Sequence, residues 1–149
     1  MLLRGARAEF MRHIDLAAIE AATHESERHT TGEIRVSILF KVPGTLEAIA
    51  ERTADRLSMK KTRDRNGALI LVEPAKRRFI VWGDKAIHEK VGQAFWTETA
   101  EAISSRFRQG DFTGGLLHGV AKVGEQLAKH FPCKPEERQD QLPNAVDVE

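Results

Sequence analysis

The 149-residue sequence is poor in cysteine, and Cys133 is its only thiol. One cysteine excludes an intramolecular disulfide and a metal site built from several thiolates, and with them the disulfide-stabilised secreted scaffolds. The sequence also lacks the roughly 20 consecutive apolar residues of a membrane span and, near its start, the apolar block of a signal peptide. We therefore expect a cytoplasmic protein without membrane insertion. Met11 is an alternative start to Met1, and the sequence leaves this choice open.

An excess of one charge sign is also missing, since 23 basic residues balance 22 acidic residues and leave a formal net charge of +1. Proteins that bind nucleic acid usually carry a clustered basic excess. The two basic groups of this sequence, residues 60–65 and 76–78, are interrupted by an acid or confined to a turn, which is typical of solvated loops. We expect no nucleic-acid partner.

Several catalytic signatures are absent as well. The six histidines include no pair at three- or four-residue spacing, which would place two zinc ligands on one helix face. The glycine-rich residues 110–115 lack the lysine of a P-loop and the spacing of a dinucleotide-binding loop. No serine has the Gly-x-Ser-x-Gly context of a nucleophile elbow. Zinc chemistry, phosphate binding by a glycine-rich loop and covalent catalysis are not indicated.

The chain is organised around residues 64–89. An Asn66-Gly67 turn precedes a continuous apolar run at 68–72, and a Glu-Pro-Ala-Lys turn separates that run from a second strand at 77–82. A run that is apolar at every position predicts an internal strand buried on both faces. We therefore expect an α/β fold in which a central mixed β-sheet is flanked by helices on both faces, an α/β/α sandwich.

The rest of the chain supplies the covering helices. Apolar periodicity predicts helices at about 14–29, 45–60, 91–108 and 111–131, and alternation predicts a strand at 33–40 that is buried more heavily on one face. Asp15, Thr45 and Asp111 are predicted N-caps. We interpret residues 1–12 as a short N-terminal extension, 13–132 as a single domain, and 133–149 as a polar C-terminal tail that lies extended against the body.

Four segments in this order resemble the TPM domain family, which is named for a thylakoid lumen protein, a photosystem II repair protein and a nematode receptor modulator. They read TGEIRV at 31–36, RNGALILV at 65–72, WGDK at 82–85 and FRQGDFTGGL at 107–116. The resemblance covers roughly residues 14–131 and implies a TPM-like sheet between helical layers. Residues 83–96, 130–132 and 142–144 are similar to a small soluble bacterial branch, whose members often appear beside a membrane-anchored TPM protein and a LemA-type protein.

The resemblance also implies an activity. Some plant members are described as acid phosphatases, and some members bind calcium or another divalent ion through acidic residues near an Asp-Asn-Gly turn. Here that turn reads Arg65-Asn66-Gly67, and the segment after the third strand is also changed, to Gly83-Asp84-Lys85. A guanidinium repels a cation, and hard divalent ions prefer several carboxylate or carbonyl oxygens. Both departures argue against a metal site and against phosphatase chemistry.

The acidic candidates for a metal site are Asp64, Asp84 and Asp111, which stand at the ends of predicted strands and helices. Open α/β sheets bind ligands at strand ends, so loops could bring these carboxylates together around calcium or magnesium. The alternative is structural: Asp64 would stabilise a turn, Asp84 would start a short connector at residues 85–90, and Asp111 would cap a helix.

Two further sets of residues are candidates for binding. A small anion or ligand pocket would be formed at a turn and a helix start by Arg65, Asn66, Lys85 and His88. Its alternative is a solvated loop. Trp82 and Trp96 are candidate interface residues, because exposed aromatic side chains often anchor protein contacts. For Trp96 the alternative is a buried, structural side chain.

The preferred interpretation is a non-enzymatic interaction or accessory module that docks on a protein partner, with a membrane-anchored relative or a LemA-type protein as the implied partner. No catalytic residue is assigned in this interpretation. The alternative is a weak acid phosphatase dependent on a divalent metal, in which calcium or magnesium held by the three aspartates polarises a phosphoryl oxygen and activates water.

Overall fold

The computed structural model describes residues 2–40 and 42–149. Within these residues the strands are β1 (Glu33–Ile38), β2 (Gly67–Glu73), β3 (Arg78–Gly83) and β4 (Asp147–Val148). They form a four-stranded sheet in the order β3, β2, β1, β4. β1 runs parallel to β2 and to β4, whereas β2 and β3 are antiparallel. The predicted mixed sheet is confirmed.

Helices cover this sheet and close its ends. They are α1 (Leu2–Arg12), α2 (Leu16–Glu27), α3 (Leu46–Arg56), α4 (Lys85–Arg108) and α5 (Phe112–His130). Short 3₁₀ turns stand at Met59–Lys61, Pro74–Lys76 and Pro135–Glu137. The predicted N-caps are confirmed, because the side chains of Asp15, Thr45 and Asp111 each accept a hydrogen bond from the backbone N–H three residues later.

The central strand β2 is buried at every position. Ala68, Ile70 and Val72 belong to the larger core, which also contains buried side chains of α2, α4 and α5. Leu69 and Leu71 project to the opposite face and pack with apolar side chains of α3 and with Met59. This alternation confirms a strand covered on both faces, since successive side chains of a strand point to opposite sides of the sheet.

The neighbouring strand β1 is buried at all six positions, including its polar residues. The C-terminal tail is the cause. The Gln141 N–H donates to Oε1 of Glu33 at 2.6 Å, Nη2 of Arg35 donates to the Ala145 carbonyl at 3.1 Å, and the Ser37 hydroxyl donates to Asp147 at 2.7 Å. The prediction of a strand buried mainly on one face was wrong here, because the tail covers the polar face as well.

Two other segments differ from their predictions. Residues interpreted as an N-terminal extension form α1, whose Phe10 is 7% exposed and packs its ring 5.1 Å from that of Phe112. The segment expected as a connector at 85–90 is helical, and a kink at Gly92, where φ is +75°, separates it from the longer helical part of α4. Glycine adopts this left-handed conformation without a Cβ clash.

The strand directions place the candidate residues at one end of the sheet. Glu33 at the start of β1 is opposite Gly67 at the start of β2, and Ala68 is opposite Gly83 at the end of β3. The turn before β2 and the start of α4 therefore meet at the amino ends of the parallel strands. Of the helices in residues 2–40 and 42–149, none is long and apolar enough to cross a membrane.

Candidate functional site

Asp84 and Arg65 form the centre of the group at the amino ends of the parallel strands. Asp84 is the N-cap of α4, is 3% exposed, and its Oδ1 accepts the Lys85 N–H at 2.8 Å. Arg65 donates two hydrogen bonds to the same carboxylate, from Nε to Oδ2 at 2.7 Å and from Nη2 to Oδ1 at 2.9 Å. These hydrogen bonds raise the pKa of Arg65 above its ordinary value. The positive charge that faces the Asp84 carboxylate is therefore the Arg65 guanidinium.

The turn that carries Arg65 is held in place by a second set of contacts. The Thr31 hydroxyl donates to Oδ2 of Asp64 at 2.7 Å, and Nδ2 of Asn66 donates to the Thr31 oxygen at 3.0 Å. Asn66 is fully buried. Asp64 and Asn66 therefore tie the turn to the segment before β1, as turn-stabilising residues do.

The three aspartates predicted to bind a metal do not converge. Asp111 caps α5, where its carboxylate accepts the Gly114 N–H at 2.9 Å, and it is separated from Asp84 by the whole length of α4. Asp64 and Asp84 lie near each other, but each is engaged by Thr31 or Arg65. The expected three-aspartate arrangement is not formed, because the 24-residue α4 holds two of its members apart.

The predicted anion pocket is occupied by contacts within the protein. Arg65 is bound to Asp84, Asn66 is bound to Thr31, and Nδ1 of His88 accepts the indole N–H of Trp96 at 2.9 Å. Lys85 is exposed at the first position of α4. The pair of Arg65 and Asp84 joins the turn to the start of α4, and a pocket formed by all four residues stays a prediction.

The two tryptophans have different environments. Trp96 is 5% exposed and packs beneath Gly83, where an added Cβ would stand 2.2 Å from Cζ2 of the ring. The prediction that Trp96 is exposed was therefore wrong, and the residue belongs to the core. Trp82 is half-buried on β3, and its indole N–H donates to Oε1 of Glu51 at 2.9 Å.

A buried ionic cluster at the same end of the sheet was missed by sequence reasoning. Arg138 of the tail lies between Glu27 at the end of α2 and Glu33 at the start of β1, with Nη2 at 3.2 Å and 3.0 Å from their carboxylates. Its Nη1 donates to the carbonyls of Thr30 and Gly32 at 2.7 Å each. Glu27 is 1% exposed and Glu33 is fully buried. Through the contacts of Arg138, this cluster holds the tail against the start of β1.

The cluster has two acids for one buried base. Burial raises the pKa of Glu27 to about 9, and the nearby charge of Glu33 adds to the effect. Burial also raises the pKa of Glu33. Together with Asp140 these two residues form the one group of three metal-type ligands within 4.8 Å in the part of the chain that the structure describes. Because the Arg138 guanidinium contacts all three carboxylates, a side-chain cation already occupies the position between them.

Sequence signals for this cluster were weak. Glu33 occupies a polar position of an alternating strand, and Glu27 ends an amphipathic helix, so both patterns favour exposure. Arg138 lies 105 residues after Glu33 in the polar tail, at a separation that no helical or strand periodicity spans. The tail at 133–149 was predicted to be polar and extended against the body, but its sequence gave no sign that the Arg138 guanidinium would be buried.

An open groove lies beside the edge strand β3, between this strand and residues of α3 and α4. Among the described residues β3 pairs only with β2, and its second edge faces a groove of about 420 Å³. Phe79, Ile80 and Val81 form the strand side of this groove. Glu47 of α3 and a row of α4 residues, among them Thr97 and Glu101, form its walls.

Comparisons with known proteins agree with this architecture. The family model of the TPM domain matches residues 6–126. The NMR structure of the BA42 protein from the psychrophilic bacterium Bizionia argentinensis is similar over 90% of this chain and 92% of that chain, with 36% sequence identity and a TM-score of 0.83. A comparison with curated protein sequences gave no match.

Proposed function

The chain belongs to the TPM domain family, and we propose that it acts as a non-enzymatic interaction module that binds an extended segment of a protein partner along the free edge of β3. The observation that carries this proposal is the groove beside β3. An edge strand presents backbone N–H and C=O groups to one side, and an extended peptide can pair with them as an additional strand.

The groove has the features of a strand-addition site. β3 is the edge strand of the sheet, and five of its six residues are half-buried, so apolar surface accompanies the free backbone groups. Glu47 of α3 and residues of α4 flank the strand. Backbone pairing would supply affinity, and alternate side chains of the added strand would enter the groove and supply specificity.

The charge of the groove indicates the chemistry of the partner segment. Glu47 and Glu101 line it, and Glu51 of α3 lies next to Trp82. Lys60 pairs with Glu51 at 2.6 Å and offsets its charge, so Glu47 and Glu101 are the acids that charge the groove. Acidic walls fit an extended segment that carries lysine or arginine among apolar residues. A membrane-anchored TPM protein or a LemA-type protein is the partner class that we propose, and the cytoplasmic location stays a prediction.

The ion pair of Arg65 and Asp84 favours this function over metal-dependent phosphatase chemistry. Both oxygens of the Asp84 carboxylate are within 3 Å of guanidinium nitrogens. A divalent ion would have to displace Arg65 and tolerate its charge nearby, and hard cations prefer oxygen ligands without such a neighbour. The alternative therefore requires a rearrangement that strand addition does not.

The proposal is tested by titrating ¹⁵N-labelled protein with an alternating valine–lysine octapeptide and recording amide shifts. We expect the shifts to concentrate at 79–82 and along the facing side of α4. Replacing Glu47 and Glu101 together by glutamine should weaken binding about threefold at low salt, because each exposed charge contact contributes little. The control is Glu98→Gln, which removes an exposed charge of α4 outside the groove. No shift at 79–82 with millimolar peptide would refute strand addition.

The phosphatase alternative is tested separately by titrating the protein with calcium and magnesium and by assaying para-nitrophenyl phosphate. Cation-induced shifts at 64–67 and 84–88, with phosphate release that Asp84→Asn abolishes, would replace our proposal by the alternative. We expect neither cation to shift these amides and no phosphate release.

A further inference from the structure

A second cavity lies at the opposite end of the sheet from the Arg65–Asp84 pair, and we propose that it binds a small aromatic monoanion. The cavity has a volume of about 500 Å³, within the range of small-molecule sites. It stands beyond the carboxyl end of β2, where Val72 and Glu73 line it, and next to the start of β3. Open α/β sheets bind ligands at the carboxyl ends of their parallel strands.

The walls of the cavity are aromatic. Of the seven phenylalanines in the chain, four line it: Phe10 of α1, Phe79 of β3, Phe107 of α4 and Phe112 of α5. Their rings form a chain, with centroids 5.3 Å apart from Phe79 to Phe107, 5.4 Å from Phe107 to Phe112 and 5.1 Å from Phe112 to Phe10. T-shaped and tilted contacts of this kind can be continued by a further ring, so the walls fit a flat aromatic body.

The rim of the cavity is basic. Arg77 and Arg108 line it and are exposed, and neither forms an ion pair with any carboxylate in the part of the chain that is described. Nη1 of Arg108 donates to the neutral Ser104 hydroxyl at 2.8 Å. Glu73, the acid among the lining residues, is paired with Arg78. The two remaining guanidinium groups give the rim an excess positive charge, which fits a carboxylate or sulfonate at the outer end of the ligand.

This inference is independent of the proposed function. The cavity is adjacent to the β3 groove, with which it shares Phe79 and Ser104. The two sites are distinguished by their other lining residues: Phe107 and Phe112 belong to the cavity, and Thr97 belongs to the groove.

The probe for the experiment is anilinonaphthalene sulfonate, an aromatic monoanion whose fluorescence rises in an apolar site. We expect saturable binding at one site, with amide shifts at 107–112 that exceed those at 93–101. Replacing Arg77 and Arg108 together by glutamine should lower the affinity about tenfold. The control variant replaces Arg106 and Lys122 by glutamine, which removes two exposed charges outside the cavity, and it should bind as the wild type does.

Two comparisons separate the parts of the proposal. Uncharged N-phenylnaphthylamine should bind equally to wild type and to the Arg77 and Arg108 variant, because it carries no anionic group. Naphthoate should displace the sulfonate probe at lower concentration than decanoate does. Absence of saturable binding, shifts centred on 93–101, an unchanged affinity in the variant, or better displacement by decanoate would each overturn the assignment of an aromatic-anion site.

Discussion

Replacing Glu27 by glutamine should remove much of the pH dependence of stability between pH 5 and 8. In the folded protein Oε2 of Glu27 accepts the Ile34 N–H at 2.6 Å, and Oε1 lies within 3.2 Å of the Arg138 guanidinium, which Glu33 shares. With both acids ionised, the buried cluster would carry a surplus negative charge. Burial therefore raises the pKa of Glu27 to about 9, and the acid is protonated at neutral pH.

The sign and size of the effect follow from proton linkage. The ordinary pKa of 4.5 for Glu27 applies to the unfolded chain, so between pH 4.5 and about 9 the native state holds one more proton than the unfolded state. This contribution to stability is complete below pH 4.5 and is lost as the pH rises through about 9. Its slope is about −1.4 kcal/mol per pH unit, so up to about 4 kcal/mol disappears from pH 5 to pH 8.

The assay is urea unfolding of wild type and Glu27→Gln at pH 5, 6, 7 and 8. Glutamine resembles the protonated acid, keeps an acceptor for the Ile34 N–H and does not titrate. The difference in unfolding free energy, wild type minus variant, should fall by about 1 kcal/mol or more per pH unit. Glu25→Gln, an exposed change on the same helix, should leave the slope unchanged. Parallel curves for wild type and Glu27→Gln would refute the reasoning, because they would mean that Glu27 ionises alike in both states.

Three further substitutions test other parts of the structure. Gly83→Ala would place a Cβ 2.2 Å from the Trp96 ring, and we expect the unfolding free energy measured with urea to fall by about 1–3 kcal/mol. In the control Gly5→Ala the added Cβ meets no atom within 4 Å, so this variant should show no such loss. Arg138→Met should lower the unfolding free energy by about 3–5 kcal/mol, because it removes the base from a buried acid pair, and a loss under 1 kcal/mol would contradict the importance of the cluster. Arg65→Asp should create millimolar calcium or magnesium binding that calorimetry detects, and an unchanged titration would show that Arg65 is not what disfavours the cation.

Local patterns predicted most of the fold. The continuous apolar run at 68–72 predicted the doubly covered strand β2, and helical periodicity predicted α2, α3, α5 and most of α4. Helix starts were predictable because an N-cap bonds to a backbone N–H only three residues away. The helix α1 was not predicted, because its segment is short and Phe10 enters the core through contacts with distant residues such as Phe112.

The sequence predicted the region of the candidate site but not the contacts between its side chains. The sequence placed Arg65, Asn66, Lys85 and His88 together at a turn and a helix start, and in the structure the pair of Arg65 and Asp84 joins that turn to the start of α4. It did not indicate that Arg65 would bind Asp84, because the direction of a side chain at a turn depends on the backbone around it. Arg65 itself adopts φ +52°, a left-handed conformation that nothing in its residue type predicts.

The sequence by itself determined the order of the elements, the buried central strand, the helix caps and membership of a family, because these depend on composition and on spacings of a few residues. Only the tertiary structure decided that Arg138 lies between Glu27 and Glu33, that Asp111 stands far from Asp84, and that four phenylalanines from four elements line one cavity. Such contacts join residues up to about a hundred positions apart. They are set by how the helices and the tail pack on the sheet, and no local period of the sequence encodes that packing.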